Sequence, residues 1–366
     1  MAGQSAKRAP SSPAALQSKL DRLDRELLRL VQQRAQLYCQ LRKHSSETET
    51  PSTLLPEVED RMAELAADSP GPLSEGVLRT IMREIRSGCR ALVRPRRVAF
   101  LGPLYTYSHL AAIHAFGQSV EFVPVGSIAA VFEEVHRGQA DYGLVPIENS
   151  TDGRIADTLE MFTRLPLRIC GDVELEIHHA LLGKCARQEV QEVYSRPQAL
   201  SQCRNWLAKH LPQARTFEVT STATAAQLAR DKPGAAAIAS AQAGVYYGLD
   251  VLAEQIEDNP ENTTRFAVIA HHTNPRTGHD KTAMLFQTEH RPGALAEVLN
   301  IFKRNRLNLT WIESFPAPGQ KRTYLFFVEF EGHENDARVR RALKTLQRKT
   351  LRMEILGSYP MTLPVQ

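Results

Sequence analysis

No stretch of this 366-residue chain is apolar enough, for long enough, to form a helix across a bilayer. The first fifteen residues, MAGQSAKRAPSSPAA, lack the apolar core of a secretory leader. They read as a flexible tail, and a cytoplasmic location is expected. Cysteine is scarce and odd in number: Cys39, Cys89, Cys170, Cys185 and Cys203, with no CxxC pair. That usage fits reduced thiols and speaks against a disulfide framework or a zinc site. The histidine pairs His178-His179 and His271-His272 lack a helical ligand spacing, so no metal is assigned. Charge of one sign is lacking too, since 45 basic and 41 acidic residues leave only +4, with a pI near 8.8. So small and dispersed an excess argues against a nucleic-acid partner, while remaining compatible with an anionic substrate.

What is present is an ordinary mixture, 42% hydrophobic and 23% charged, on a chain long enough for two or three domains. Leu16, Leu20, Leu23, Leu27, Leu30, Leu37 and Leu41 repeat at steps that mark a long amphipathic helix. At 1.5 Å per residue it would span ~39 Å. One such helix cannot bury its own seam, so a partner helix or chain is implied. Arg34 interrupts the seam. It either snorkels beside it or sits inside, where a charge needs an anionic partner. Two further helices, 54–66 and 76–93, are separated by the breaker Ser69-Pro70-Gly71-Pro72. The second carries a stripe of Arg79, Arg83, Arg86, Arg90 and Arg94, read as a solvated face.

After the linker Arg94–Arg97 the pattern alternates between strands and helices. A strand at Val98 leads to a helix opening at Tyr107-Ser108-His109. Phe122–Val125, Ile128–His136 and Thr158–Thr163 continue the alternation around the run DYGLVPIENSTDGRI, residues 141–155. Its apolar residues Leu144, Val145 and Ile147 read as a buried strand ending abruptly in Glu148, Asn149, Ser150, Thr151 and Asp152. Ligands of α/β sheets lie beyond the carboxyl ends of strands, where this cluster falls. The bland alternative is a turn with Thr151 or Asp152 capping the next helix. A second polar cluster, NPENTTRF at residues 259–266, also abuts an apolar run, suggesting two walls of one pocket. Val173–Ile177 is expected to begin a second α/β set, with a helix at 198–209, a strand at Thr216–Val219, a helix at 222–230 and a strand at Ala235–Ala239. Thr264 marks the return to the first lobe. Residues 281–359 then follow a βαββαβ order, which is ferredoxin-like.

At these clusters the chain resembles the prephenate dehydratase family, whose PIEN-type turn, Ser-x-Pro-Gln segment with a following Gln, Ser-Thr pair and Thr-Arg-Phe triplet occur in this order. Here they are Glu148-Asn149, Ser195 to Gln202, Ser221-Thr222 and Thr264-Arg265-Phe266. The N-terminal helices are similar to the chorismate mutase domain of bifunctional dehydratases, and the C-terminal segment resembles an ACT regulatory domain. The resemblance implies a disordered tail at 1–15, a mutase-like all-α helical domain at 16–93, a two-lobed, periplasmic-binding-protein-like α/β dehydratase domain at 96–272, and an ACT domain at 279–360. Only Arg34 matches the mutase site. Gln17, Ser45, Val58-Glu59, Cys89 and Val93 stand at its other positions, which implies a dimerising domain with little or no mutase activity.

The implied reaction converts prephenate to phenylpyruvate with loss of water and CO2. Thr264 is the family's candidate acid, Glu148 a proton donor or a prop, and Asn149 a positioning group. Ser195, Gln202, Ser221, Thr222, Arg265, Phe266 and Ser108 are expected around the substrate. The ACT resemblance points to a phenylalanine effector at Gly293, Ala294, Leu295, Glu313 and Ser314, although Trp311 and Phe315 replace arginines common in that group. Tyr105 stands where the family has glycine. No cofactor is expected, and two pairing domains imply a homodimer or homotetramer. The alternatives are a fully bifunctional mutase/dehydratase, an arogenate dehydratase and a non-catalytic sensor.

Overall fold

The structure, a computed structural model, describes residues 12–44, 71–151, 153–317 and 323–361. The expected helix 54–66, and with it Ser45, Val58, Glu59 and Asp152, lies outside the described residues. The leucine repeat forms one helix, Pro13–His44, closed by Arg42, Lys43 and His44, which suit the negative end of the helix dipole. Its seam leucines are 48–64% exposed. Arg34 turns inward, its Nη1 3.1 Å from Cys89 Sγ on the helix Glu75–Ala91.

That second helix docks on the α/β body. Glu84 accepts from Gln118 N–H at 2.9 Å, and Ser87 Oγ from Ser119 N–H at 3.1 Å. Gly117, at φ 74°, permits this approach, because a Cβ there would lie 2.5 Å from Ser87 Cβ. The arginine stripe is therefore not uniformly solvated. Arg83 reaches the His114 carbonyl at 3.3 Å, and Arg90 is half-buried.

The first lobe is a sheet of β1 (Arg97–Leu101), β2 (Glu121–Val125), β3 (Tyr142–Asn149), β5 (Arg168–Glu176) and β11 (Thr263–Ala270), in the order β2-β1-β3-β11-β5. A two-residue strand, β4 (Gly153–Arg154), adds to β3. β11 is antiparallel to both of its neighbours. The second lobe orders β10 (Asp250–Ala253), β6 (Ala180–Gly183), β9 (Ala235–Ala239), β7 (Glu192–Ser195) and β8 (Arg215–Glu218) as β10-β6-β9-β7-β8. Val173–Ile177 does not open that lobe. It lies mostly within β5, which pairs along its length with β11, and the second lobe starts at Ala180. The helix expected at 198–209 is broken at Cys203 into Pro197–Gln202 and Arg204–His210. β4, β10 and the helix Ala241–Tyr247 were not anticipated, since segments this short carry too few repeats to show a period.

The chain crosses between lobes at 177–179 and again at 254–262. The crossings bind each other: Ile177 N–H donates to the Asn262 carbonyl at 2.8 Å, and Ile256 N–H to the His179 carbonyl at 3.0 Å. The C-terminal domain forms a sheet of β12 (Asp280–Gln287), β13 (Leu309–Pro316), β14 (Tyr324–Glu331) and β15 (Arg352–Pro360), ordered β13-β14-β12-β15. Helices Ala294–Arg304 and Ala337–Leu346 pack on Met284, Phe286 and Val328 at one face. Leu285, Phe327 and Tyr359 on the other face join Val145, Ile147 and Ile269 in one continuous apolar core. First lobe and C-terminal sheet are thus one packed unit. At Gly357 a Cβ would stand 2.0 Å from the Ile169 carbonyl, so only glycine allows β15 to lie against β5.

Candidate active site

Asn149 lies opposite Thr264, and Glu148 opposite Arg265, on the central strands β3 and β11. Successive side chains of a strand point to opposite faces. Thr264 therefore shares a face with Phe266 and Val268, while Arg265 goes with Ala267 and Ile269 toward the core shared with the C-terminal sheet. This alternation divides the polar cluster into two sites with different chemistry.

On the first face Asn149 Nδ2 donates to Thr264 Oγ1 at 2.8 Å, and to the Thr263 carbonyl and Asn262 Oδ1 at 3.2 Å each. Asn149 Oδ1 accepts the Thr151 N–H at 3.0 Å. The hydroxyls of Ser150 and Thr151 also reach Asn262 Oδ1, at 3.4 and 3.3 Å. Asn262 Nδ2 then donates to Gln202 Oε1 at 3.1 Å, joining the lobes. His179 Nε2 donates to the same oxygen at 3.0 Å, and Tyr107 Oη lies 2.9 Å from His179 Nδ1. Burial lowers the His179 pKa; a neutral imidazole that donates through Nε2 accepts at Nδ1, so the Tyr107 hydroxyl shares its one proton between Nδ1 and the His178 carbonyl, 2.7 Å away. With Gln202 Oε1 accepting twice, its Nε2 amide is buried with no partner among the described residues. Buried donors without a protein partner are uncommon in native structures and are met by bound water, an ion or a ligand. Gln202 lines a cavity of about 480 Å³ with Thr151, Gln198, Ser201, Asp258 and Asn262. Asn149 and Thr264 are tied to that wall through Asn262.

On the opposite face Arg265 Nη1 donates to Glu329 Oε2 at 2.6 Å, and its guanidinium lies 4.7 Å from the Trp311 ring centre. Glu148 is 3.3 Å from Arg265 Nε, a charge contact without directed hydrogen-bond geometry. Lys281 binds Asp172 at 2.5 Å, and Tyr359 Oη donates to Glu329 at 2.6 Å. Burial opposes the Arg265 charge, but Glu329, Asp172 and Glu148 outweigh it and hold its pKa above the usual value. Burial pushes the Glu148 carboxyl up, against the pull of Arg265.

Residues 98–274 match the prephenate dehydratase family, and residues 283–348 match the ACT domain. The bifunctional chorismate mutase/prephenate dehydratase of Aquifex aeolicus (strain VF5) is 40% identical over 95% of this chain and 98% of its own length. The chain belongs to the bifunctional chorismate mutase/prephenate dehydratase family. Among solved structures, the prephenate dehydratase of Arthrobacter aurescens in complex with L-Phe is 34% identical, with a TM-score of 0.67 over 72% of this chain and 90% of that one. A structure described as GqqA, a novel type of quorum-quenching acylase, is 29% identical, with the same TM-score of 0.67 over 73% of this chain and 98% of that one.

The family motifs are not all gathered at the cavity. Glu148 and Arg265 point away from it, so the expectation that Glu148 meets Thr264 and that Arg265 meets substrate is corrected by alternation on β11 and by a register irregularity at Ile147 of β3, which leaves Glu148 on the same face as Ile147. Phe266 is buried in the core of the first lobe. Ser195 Oγ donates to the Ile238 carbonyl at 2.7 Å and is fully buried, pinning β7 to β9. Ser221 caps the helix Thr222–Asp231 by accepting the Thr224 N–H at 2.9 Å, with Thr222 buried beside it. Ser108 is buried in the helix Tyr107–Phe116. Thr151 does not cap the following helix; Ile155 occupies that position. Tyr105 adopts φ 62°, the left-handed region where glycine is at ease, and its ring stacks on Tyr246 of the second lobe at 4.0 Å.

In the ACT domain Gly293 has φ 81°, and Ala294 and Leu295 line a second cavity of about 420 Å³ with His290, Arg291 and Tyr324. Glu313 and Ser314 lie apart from it on β13, against Arg154. Sequence reasoning missed Tyr107, His179, Asn262 and the pairing of His178 with Glu257 at 2.7 Å. Asn262 was within reach, since it lies inside the NPENTTRF cluster. The histidines required knowledge of where the lobes cross.

Proposed function

We propose that this chain is a cytoplasmic prephenate dehydratase that converts prephenate to phenylpyruvate, water and CO2 in phenylalanine biosynthesis, under feedback by phenylalanine. The proposed units are the helical domain 16–93, the dehydratase domain 96–272 and the ACT domain 279–360. One observation carries the reading: the Asn149–Thr264 pair is wired through Asn262 to an orphaned amide donor of Gln202 in an interlobe cavity. Because Asn149 donates into Thr264 Oγ1, the threonine keeps its own proton to offer to the leaving ring hydroxyl. The donated bond also makes that proton more acidic, which an unaided threonine needs.

Gln202 Nε2 binds one substrate oxygen, and neutral His179 holds the Gln202 amide in the required orientation. The departing carboxylate is left weakly solvated, which favours its loss. Glu148 contributes through the charge cluster on the other face rather than as the proton donor. For the helical domain we infer dimerisation with mutase activity lost or nearly lost. The support is that Arg34 rests on the Cys89 sulfur, where a dianionic transition state would need several cationic donors.

The deciding experiment measures product from prephenate, arogenate and chorismate side by side with purified protein. Turnover of prephenate alone is expected. Preference for arogenate would reassign the substrate, and robust chorismate turnover would overturn the loss of mutase activity.

A further inference from the structure

We propose that Arg154 couples the ACT domain to the catalytic strands, acting as a positioning residue for Asn149; this rests on the dehydratase reading and deepens its regulation. β4 consists of Gly153 and Arg154, with Gly153 paired to Asn149 and Arg154 to Glu148. From there the Arg154 guanidinium crosses to the ACT domain, where its Nη1 donates to Glu313 Oε2 at 3.1 Å and to the Ser314 carbonyl at 2.5 Å.

The same pair of strands has a second attachment, Arg265 to Glu329 at 2.6 Å, under Trp311. The two attachments differ in kind. Arg265 is buried among several carboxylates and is fixed. Arg154 lies at the rim, with side chains of Arg154 and Glu313 35% and 28% exposed, and its carboxylate partner can be exchanged. A free amino acid presents an ammonium group, which competes with a guanidinium for one carboxylate. When such an effector takes Glu313, Arg154 loses its charged partner and keeps only the Ser314 carbonyl, so β4 is held less firmly against β3 and the ladder partner of Asn149 shifts. The Asn149–Thr264 bond then loses its alignment. Effector and substrate are thus linked through a single exchangeable ion pair, and the linkage must be reciprocal.

The test uses the full chain with Arg154→Ala and Arg154→Lys. Arg154→Ala removes the competitor for Glu313, so phenylalanine, measured by calorimetry, should bind about fivefold or more tightly. Its kcat without effector should fall toward the level of the phenylalanine-saturated native chain, and added phenylalanine should change it little. Arg154→Lys, which keeps one charged donor, should restore part of both properties. A purely structural role for Arg154 would lower activity without tightening phenylalanine binding. Native inhibition and native affinity in Arg154→Ala would overturn the proposal, and so would complete loss of phenylalanine binding. If the native chain itself shows neither binding nor inhibition, the feedback reading fails. The coupling is then judged by a double-mutant cycle of Arg154→Ala and Glu313→Gln on kcat without effector: non-additive losses are expected, and additive ones reject it.

Discussion

Replacing Thr264 by valine removes one hydroxyl and leaves the side chain nearly unchanged in volume. The structural cost is modest, because Asn149 Nδ2 keeps the Thr263 carbonyl and Asn262 Oδ1 as acceptors at 3.2 Å. Loss of one neutral hydrogen bond costs about 1 kcal/mol, which a domain of ordinary stability survives. The catalytic cost is larger. A positioned general acid contributes about 10²–10⁴ in rate, equivalent to about 3–5 kcal/mol of barrier. Phenylpyruvate formation, followed by its absorbance, should therefore show kcat reduced by at least about a hundredfold with KM within about a factor of three. Thr264→Ser restores a hydroxyl within reach of Asn149 and should recover most of the rate. A normal kcat with a greatly raised KM would refute the reasoning and make Thr264 a binding residue. An inactive Thr264→Val whose melting temperature has collapsed would show only that the hydroxyl holds the strands together.

The orphaned Gln202 amide predicts that Gln202→Glu, which replaces a donor by an anion, raises KM for the anionic substrate by about 10- to 100-fold with a smaller effect on kcat, measured by steady-state kinetics. At the interlobe crossing, the hydrogen bond to Glu257 raises the His178 pKa. Its stabilisation is therefore full below the ordinary histidine range, about 6.5, and is lost as pH rises through the raised value. The melting temperature of the native chain relative to His178→Gln should shrink across that window, and parallel pH profiles would contradict it. The dimer proposed through the exposed seam of the first helix predicts that Leu23→Lys, by removing about 1.5–3 kcal/mol of apolar burial at each contact, shifts the protein toward monomer in light scattering. An unchanged mass would remove that helix from the interface.

Much of the architecture was legible in the chain itself. Long periodic segments announce their period over several turns, so the first helix and the βαββαβ order appear where the spacing puts them, while the apolar run ending at Ile147 forms a strand that continues through Glu148 and Asn149. Short elements do not, and only the second half of β5 is read from the sequence, because Val173–Ile177 alone looks like a complete strand. Adjacent polar residues in a motif also look like one site when read along the chain.

Which amino acids cluster near the strand ends, and in what order, was determined by the sequence alone. Only the tertiary structure decided what each one faces. A strand sends neighbours to opposite sides, and the register irregularity at Ile147 sets which side, so Asn149 and Thr264 meet across β3 and β11 on the face linked to the cavity through Asn262, while Glu148 and Arg265, one residue away, are turned toward the ACT sheet. Gln202 acquires its free amide because His179 and Asn262, brought from the two interlobe crossings, occupy its oxygen together. Hydrogen-bond partners distant along the chain are chosen by how the lobes pack, and no local pattern encodes that choice.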